Sequence, residues 1–220
     1  METTFLVQPA WGSSTPWLPE GLVQRLHEDA EATWHNCTKT GLGTWEGAGG
    51  TMTPPPYLRM ITARARAYLA LPVHSIYLDR VYQACTYLLT QQQPDGRFES
   101  TSTTSPTATV DDAFDTAEVG WLLAEAYRVF HVPAYMEAAV RAAGWLLSGT
   151  VSSQYCDPEY YAEHPTAPPI RQLLAFQNAN FVGSILRHLA SIYGAVGDTP
   201  SGLSAMMLDA ARTLVSWQLL

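Results

Sequence analysis

A chain of 220 residues in which 47% of side chains are hydrophobic and only 15% charged holds enough apolar material for one sizeable core, and too few charges for a disordered chain. The formal net charge of -8, from 20 acids against 12 lysines and arginines, leaves no cationic stripe, so nucleic acid and anionic membrane surfaces are excluded as expected partners.

The opening METTFLVQPAWGSSTPW has neither the basic segment nor the apolar segment of a secretory signal. No apolar run approaches the ~18 residues that a membrane span needs. Cys37, Cys85 and Cys156 are scattered without CxxC spacing, which fits a reducing compartment, and a cytoplasmic location is the expectation. Asn36-Cys37-Thr38 matches a glycosylation triplet, which matters only in a secreted chain.

Helical spacing of apolar residues first runs from Leu22 to Trp34. GLGTWEGAGGTMTPPPY follows, where glycines allow a tight loop, Trp45 offers a flat face on which a ring can stack, and Glu46 adds an acid beside it. A surface loop anchored by a tryptophan is the plain alternative. Without a GKS or GKT sequence it is no phosphate loop.

Further helical runs span Tyr57 to Leu71, Ile76 to Leu89, Val110 to Phe130, Ala134 to Leu147, Ile170 to Tyr193 and Leu203 to Leu219, and no alternating strand pattern competes with them. The expected class is all-α. The helices repeat in pairs with a period of about 60 residues: a helix, a short Pro- or Gly-containing turn, then an Ala-rich helix ending in leucines. Turns within pairs are tight and connections between pairs are long, so the long loops emerge on one rim with the N-termini of the first helices. The organisation expected is a single domain over 1–220, with an N-terminal arm, helix and Gly-rich loop in 1–52 and three helical hairpins in 53–220.

The third of these runs begins TVDDAFDTAEVGW, with four acids in a chain otherwise sparing of charge. At about 100° per residue, Asp111, Asp115, Glu118, Leu122, Glu125 and Val129 share one face, polar at its start and apolar further on. Such a face suits a helix whose first turns line an open cavity, with Trp121 packing on a neighbouring face within reach of a substrate. Clustered carboxyls in unlike surroundings can divide proton donation from proton acceptance, which makes Asp111, Asp112, Asp115 and Glu118 the candidate catalytic residues. Against this, Thr109-Val110-Asp111-Asp112 reads as a capping box, and first-turn acids stabilise a helix by roughly 0.3–1 kcal/mol each without any chemistry. Asp115 and Glu118 lie too deep for that explanation.

Overlaying the second hairpin on the third sets Val119-Gly120 on Val182-Gly183 and Asp115 on Asn178. Gln177, Asn178 and Asn180 are therefore candidate substrate-binding residues, since amides hydrogen-bond hydroxyls in both senses. His188 lies further down the same face, as a ligand contact or as a core histidine. In CDPEYYAEHP the spacing of Cys156, Asp157 and His164 fits no zinc pattern, and neither a metal nor a cofactor is expected.

TVDDAFDTAEVGWLLAEAYRVFHVPAYMEAAVRAAGWLLS and NANFVGSILRHLASIYGAVGD resemble the helix-turn-helix units of the six-hairpin α/α toroid superfamily. That superfamily includes endo-1,6-mannanases, unsaturated glucuronyl hydrolases, N-acylglucosamine 2-epimerases and some polysaccharide lyases. The resemblance covers roughly the last three quarters of the chain and implies an incomplete (α/α)6 barrel, with three hairpins where six close a ring. It implies a carbohydrate-active enzyme, a glycoside hydrolase above all, acting on a small-molecule or oligosaccharide substrate. Asp111 and Asp112 match the adjacent aspartates of the mannanases, and Asn178 matches an asparagine that neutralises a substrate carboxylate in lyases. A half ring whose last residues, SWQLL, carry no polar cap implies a homodimer or a second subunit completing the toroid. Two other functions stay open. QQQPDGRF resembles the QxxDG turn of terpene cyclases, which implies a cyclase or isomerase with an aromatic and acidic cavity; the other alternative is a non-catalytic helical-repeat subunit.

Overall fold

Pro56 opens the first well-defined helix, where its missing N–H costs no hydrogen bond and its fixed φ already suits a helix. A computed structural model describes residues 25, 28, 45–47, 50–52, 56–70, 75–99, 108–151, 169–174 and 179–218. Its elements are strands β1 (Trp45–Gly47) and β2 (Gly50–Met52) and helices α1 (Pro56–Ala70), α2 (Ser75–Gln91), α3 (Val110–Phe130), α4 (Pro133–Ser148), α5 (Ile170–Leu173), α6 (Ala179–Val196) and α7 (Leu203–Gln218). The described residues are predominantly helical, in keeping with the all-α class. Two departures from the helical pattern stand out. The Gly-rich loop forms a small antiparallel ribbon, pairing Trp45 with Met52, Glu46 with Thr51 and Gly47 with Gly50. Three-residue strands are too short for alternation to reveal, and the glycines are what permit so tight a reversal.

The second departure concerns the run from Ile170 to Tyr193, which is not one helix. Helix α5 ends at Leu173 and α6 starts at Ala179. Ile170 N–H donates to the Gly149 carbonyl at 3.1 Å, tying α5 to the end of α4, whereas α6 lies along α3. One straight helix would not serve both neighbours. Of the first helical run only positions 25 and 28 are described, both helical.

The helices pack as consecutive pairs, α1 with α2, α3 with α4, and α6 with α7. Two residues, His131 and Val132, turn the chain between α3 and α4. His131 takes a left-handed φ of 53° and its N–H donates to the Tyr127 carbonyl, while Pro133 starts the next helix. Alanines are prominent among the buried residues of these two helices: Ala113, Ala117, Ala124, Ala138, Ala139, Ala142 and Ala143 are all fully buried. Small side chains let the axes approach closely, and Leu122, Leu123 and Leu146, also fully buried, add about 1.5–3 kcal/mol each from removal of apolar surface.

Contacts between pairs reveal two rows of parallel helices. Along α3 and α6 the partners rise together: Ser184 Oγ donates to Glu118 at 2.5 Å and Ser191 Oγ to Glu125 at 2.6 Å. Along α2 and α4 the order is the same. Thr86 and the Tyr82 carbonyl meet the Tyr135 hydroxyl, and further along both helices Gln92 Nε2 donates to the Ala138 carbonyl at 2.8 Å. First helices α1, α3 and α6 thus form one row with α3 in the middle, and α2 and α4 lie behind it. Helix α3 touches four other helices, which explains why its apolar residues spread over more than one face.

The turn after α2 is built by QQQPDGRF. Gly96 N–H donates to the Gln93 carbonyl at 2.9 Å, and Gly96 itself adopts φ +101°, a conformation open to glycine. Gln92 Nε2 donates to the Gly96 carbonyl at 2.9 Å, and Gln92 Oε1 accepts from Arg141 at 2.5 Å. A single glutamine so joins the turn to the next pair of helices. Buried Phe98 completes the join, its N–H donating to Thr116 Oγ1 of α3 at 2.9 Å.

Candidate functional site

Helix α3 begins with a complete capping box. Asp112 N–H donates to Thr109 Oγ1 at 3.1 Å, and Thr109 N–H donates to Asp112 Oδ2 at 2.6 Å. Two backbone donors that the helix leaves unmatched are satisfied by this exchange, so Asp112, 3% exposed, has a structural task. Asp111 beside it is exposed, and Asp115 one turn below is 1% exposed.

The accessible stripe of α3 is rotated from the face that the acid spacing suggests. Asp115 and Leu122 are enclosed, while Asp111, Phe114, Trp121, Glu125 and Arg128 retain solvent exposure, with Glu118 at the margin. The neighbours decide this. Helices α4 and α2 cover the side that carries Ala113, Ala117 and Ala124, and α6 closes over Glu118.

Glu118 is the hub of that stripe. Its carboxylate pairs with Arg66 of α1 and Arg187 of α6 and accepts from the Ser184 hydroxyl, so three helices meet on one side chain. Both guanidiniums also lie over the Trp121 ring, the Arg66 Cζ 4.4 Å and the Arg187 Cζ 4.2 Å from its centroid. Burial, and after it the like charge of Arg187, pulls the Arg66 guanidinium down to about 10; burial lowers Arg187 as well. At neutral pH both stay charged, and the contacts around Glu118 complement a carboxylate. Arg187 thus turns toward α3, with its Nε buried and without an acceptor among the described residues. No motif or spacing in the sequence links position 66 to position 118.

About two turns further along, Glu125 accepts from Ser191 and from Arg128 Nη1 at 2.9 Å, and Arg128 Nη2 reaches the Ser191 carbonyl at 3.4 Å. The residues facing each other on α3 and α6 are 66 positions apart. The hairpin overlay, which matches Asp115 with Asn178, implies three fewer, so the two helices are staggered by about one turn relative to their sequence equivalence.

His188 is wholly enclosed, between α3 and α4. Burial depresses its imidazole to about 3, against a smaller opposite pull from the Ala139 carbonyl, so the ring is neutral at physiological pH. Neither ring nitrogen meets an acceptor or donor in hydrogen-bonding geometry among the described residues. Its place is the core, away from the accessible stripe. Asn180 is exposed in the first turn of α6. Gln177 and Asn178 lie outside the described residues; Trp45 and Glu46 have their backbones in β1, and their side chains lie outside the description. Of the cysteines only Cys85 is described; it is free and buried, and burial pushes its thiol up.

What the structure brings together is therefore Asp111, Asp112 and Asp115 at the start of α3, and Glu118 with Trp121, Arg66, Arg187 and Ser184 two turns on. No group of three His, Cys, Asp or Glu side chains among the described residues is placed to hold a metal ion, and no described helix is long and apolar enough to cross a membrane. The chain matches no protein-family model, no curated protein and no solved structure.

Proposed function

We propose that the chain is a carbohydrate-active enzyme, a glycoside hydrolase whose acid/base carboxyls lie in the first turns of α3. The observation that carries this reading is the unlike setting of Asp111 and Asp115, one turn apart on the same helix, the first in solvent and the second 1% exposed. Glycosidic hydrolysis requires one carboxyl as proton donor and another as base or nucleophile, and a difference in solvation is what separates such roles. The parallel row α1, α3 and α6 supports a toroid-like scaffold, since it sets the opening turns of α3 and α6, with Asp111 on one and the amide of Asn180 on the other, at the same end. Asp112 serves the cap and Glu118 holds the arginines.

The test is turnover of aryl glycosides and oligosaccharides by the unmodified chain and by Asp111→Asn and Asp115→Asn. Either change is expected to reduce turnover by about 10²-fold or more, with melting curves recorded alongside. A chain that cleaves none of these substrates, or variants that keep full activity, would remove the reading.

A second copy completing the ring is part of the same proposal, supported by Leu208 and Val215, which stand 50% and 56% exposed seven positions apart on α7. Sedimentation at rising concentration is expected to show a dimer that Leu208→Asp with Val215→Asp dissociates. A monomer at all concentrations would argue against pairing.

A further inference from the structure

Three charged groups meet beside Trp121, and their charges do not cancel. Arg66 and Arg187 together bring two positive charges, and Glu118 is the single carboxylate paired with them among the described residues. Glu125, the next acid along the stripe, is engaged by Arg128 and Ser191. Among the described residues the surplus is one positive charge, held in a partly dehydrated place where an unmatched charge is unfavourable.

The two cations are also reachable. The Arg66 side chain keeps 25% of its surface and the Arg187 side chain 37%, and both face the accessible stripe of α3 rather than the alanine-packed side. Their forks are fixed from behind, by Glu118 and by the Trp121 ring, so little freedom is lost when a ligand arrives.

We infer that Arg66 and Arg187, over Trp121, form a binding site for a ligand bearing one carboxylate group. A planar guanidinium fork matches a carboxylate in two parallel hydrogen bonds, and a single negative charge cancels the surplus. A phosphate dianion would overshoot it. On the reading of the chain as a glycoside hydrolase, the ligand is a sugar acid; the site itself does not depend on that reading.

Binding is measured by calorimetry on the unmodified chain with D-glucuronate, with benzoate as a carboxylate lacking a sugar ring, with glucose as the neutral control, and with inorganic phosphate. At least one carboxylate is expected to bind tenfold or more tightly than glucose, to weaken as salt rises, and to lose that advantage in Arg66→Gln and in Arg187→Gln. Each of these variants leaves Glu118 one arginine. Benzoate binding without glucuronate binding would keep the carboxylate site and count against a sugar substrate. Neither carboxylate exceeding glucose, phosphate binding more tightly than both, or a carboxylate preference untouched by either substitution would overturn the assignment. The comparison of ligands on the unmodified chain decides the matter even if a variant fails to fold.

Discussion

The imidazole of His188 lies edge-on against Gly120, so close that a Cβ built at position 120 would stand 2.5 Å from its Cε1 and 2.6 Å from its Nε2. A mid-helix glycine is ordinarily less stable than alanine by about 1 kcal/mol, yet here only hydrogen leaves room for the ring. Gly120→Ala is therefore expected to destabilise the fold by about 1–3 kcal/mol, read as a lower denaturation midpoint in urea. The same change made together with His188→Ala is expected to cost less than the two single changes summed, and additivity would show that the contact is not what makes the glycine necessary.

The enclosed histidine also links stability to pH. Its folded value of about 3 lies below the ordinary 6.5, so between those values the unfolded chain takes up a proton that the folded chain refuses. This contribution is fully present above pH 6.5 and is lost as the pH falls toward 3, with a limiting slope of about 1.4 kcal/mol per pH unit for one proton. Urea midpoints measured from pH 7 to pH 4 are expected to fall less steeply in His188→Asn than in the unmodified chain. Equal slopes would mean that the histidine does not contribute.

Glu118→Gln would leave two guanidiniums facing each other over Trp121 with no carboxylate between them. The expected loss is about 2 kcal/mol, below the 3–5 of a fully buried pair because both arginines keep contact with water. Thermal melts at low and high salt check this, since screening should narrow the gap between variant and parent.

Thr109→Ala removes one half of the capping box and is expected to cost about 1 kcal/mol. Asp112→Asn keeps an oxygen able to accept from Thr109 N–H, so stability should change little, and activity against any glycoside that the chain cleaves should persist. A loss of turnover in Asp112→Asn with an unchanged melt would move the acid/base assignment from Asp111 to Asp112.

Gly96→Ala combines a left-handed backbone with a Cβ 2.5 Å from the Arg141 carbonyl oxygen, which is backbone and cannot swing aside. A loss above about 2 kcal/mol is expected, and soluble protein with an unchanged melt would contradict the close approach of the turn to α4.

Periodicity located the helices well where a helix had one covered side and clear punctuation. Helix α3 runs from Val110 to Phe130 as its apolar spacing indicates, because Thr109 caps it and Pro133 forces the chain to restart. The same spacing located the accessible face of that helix only in part. With neighbours on several sides α3 has no single apolar stripe, so Asp111, Glu118 and Glu125 fall on or beside the accessible face while Asp115 and Leu122 are enclosed. Asp112 as a cap was legible from the Thr109 spacing alone. The convergence of Arg66 and Arg187 on Glu118 was not, because what unites them is the approach of α1 and α6 to that side chain, a tertiary event with no local signature. The break between α5 and α6 was hidden for a similar reason: the carbonyl that anchors α5 belongs to Gly149, beyond any helical window.

The two serine-to-glutamate bonds between α3 and α6 sit seven residues apart on each helix, about 10.5 Å along the axis. Axial displacement of α6 by a single turn, about 5.4 Å, would break both rungs together. Two rungs in register therefore oppose the sliding of one first helix past the other in either direction.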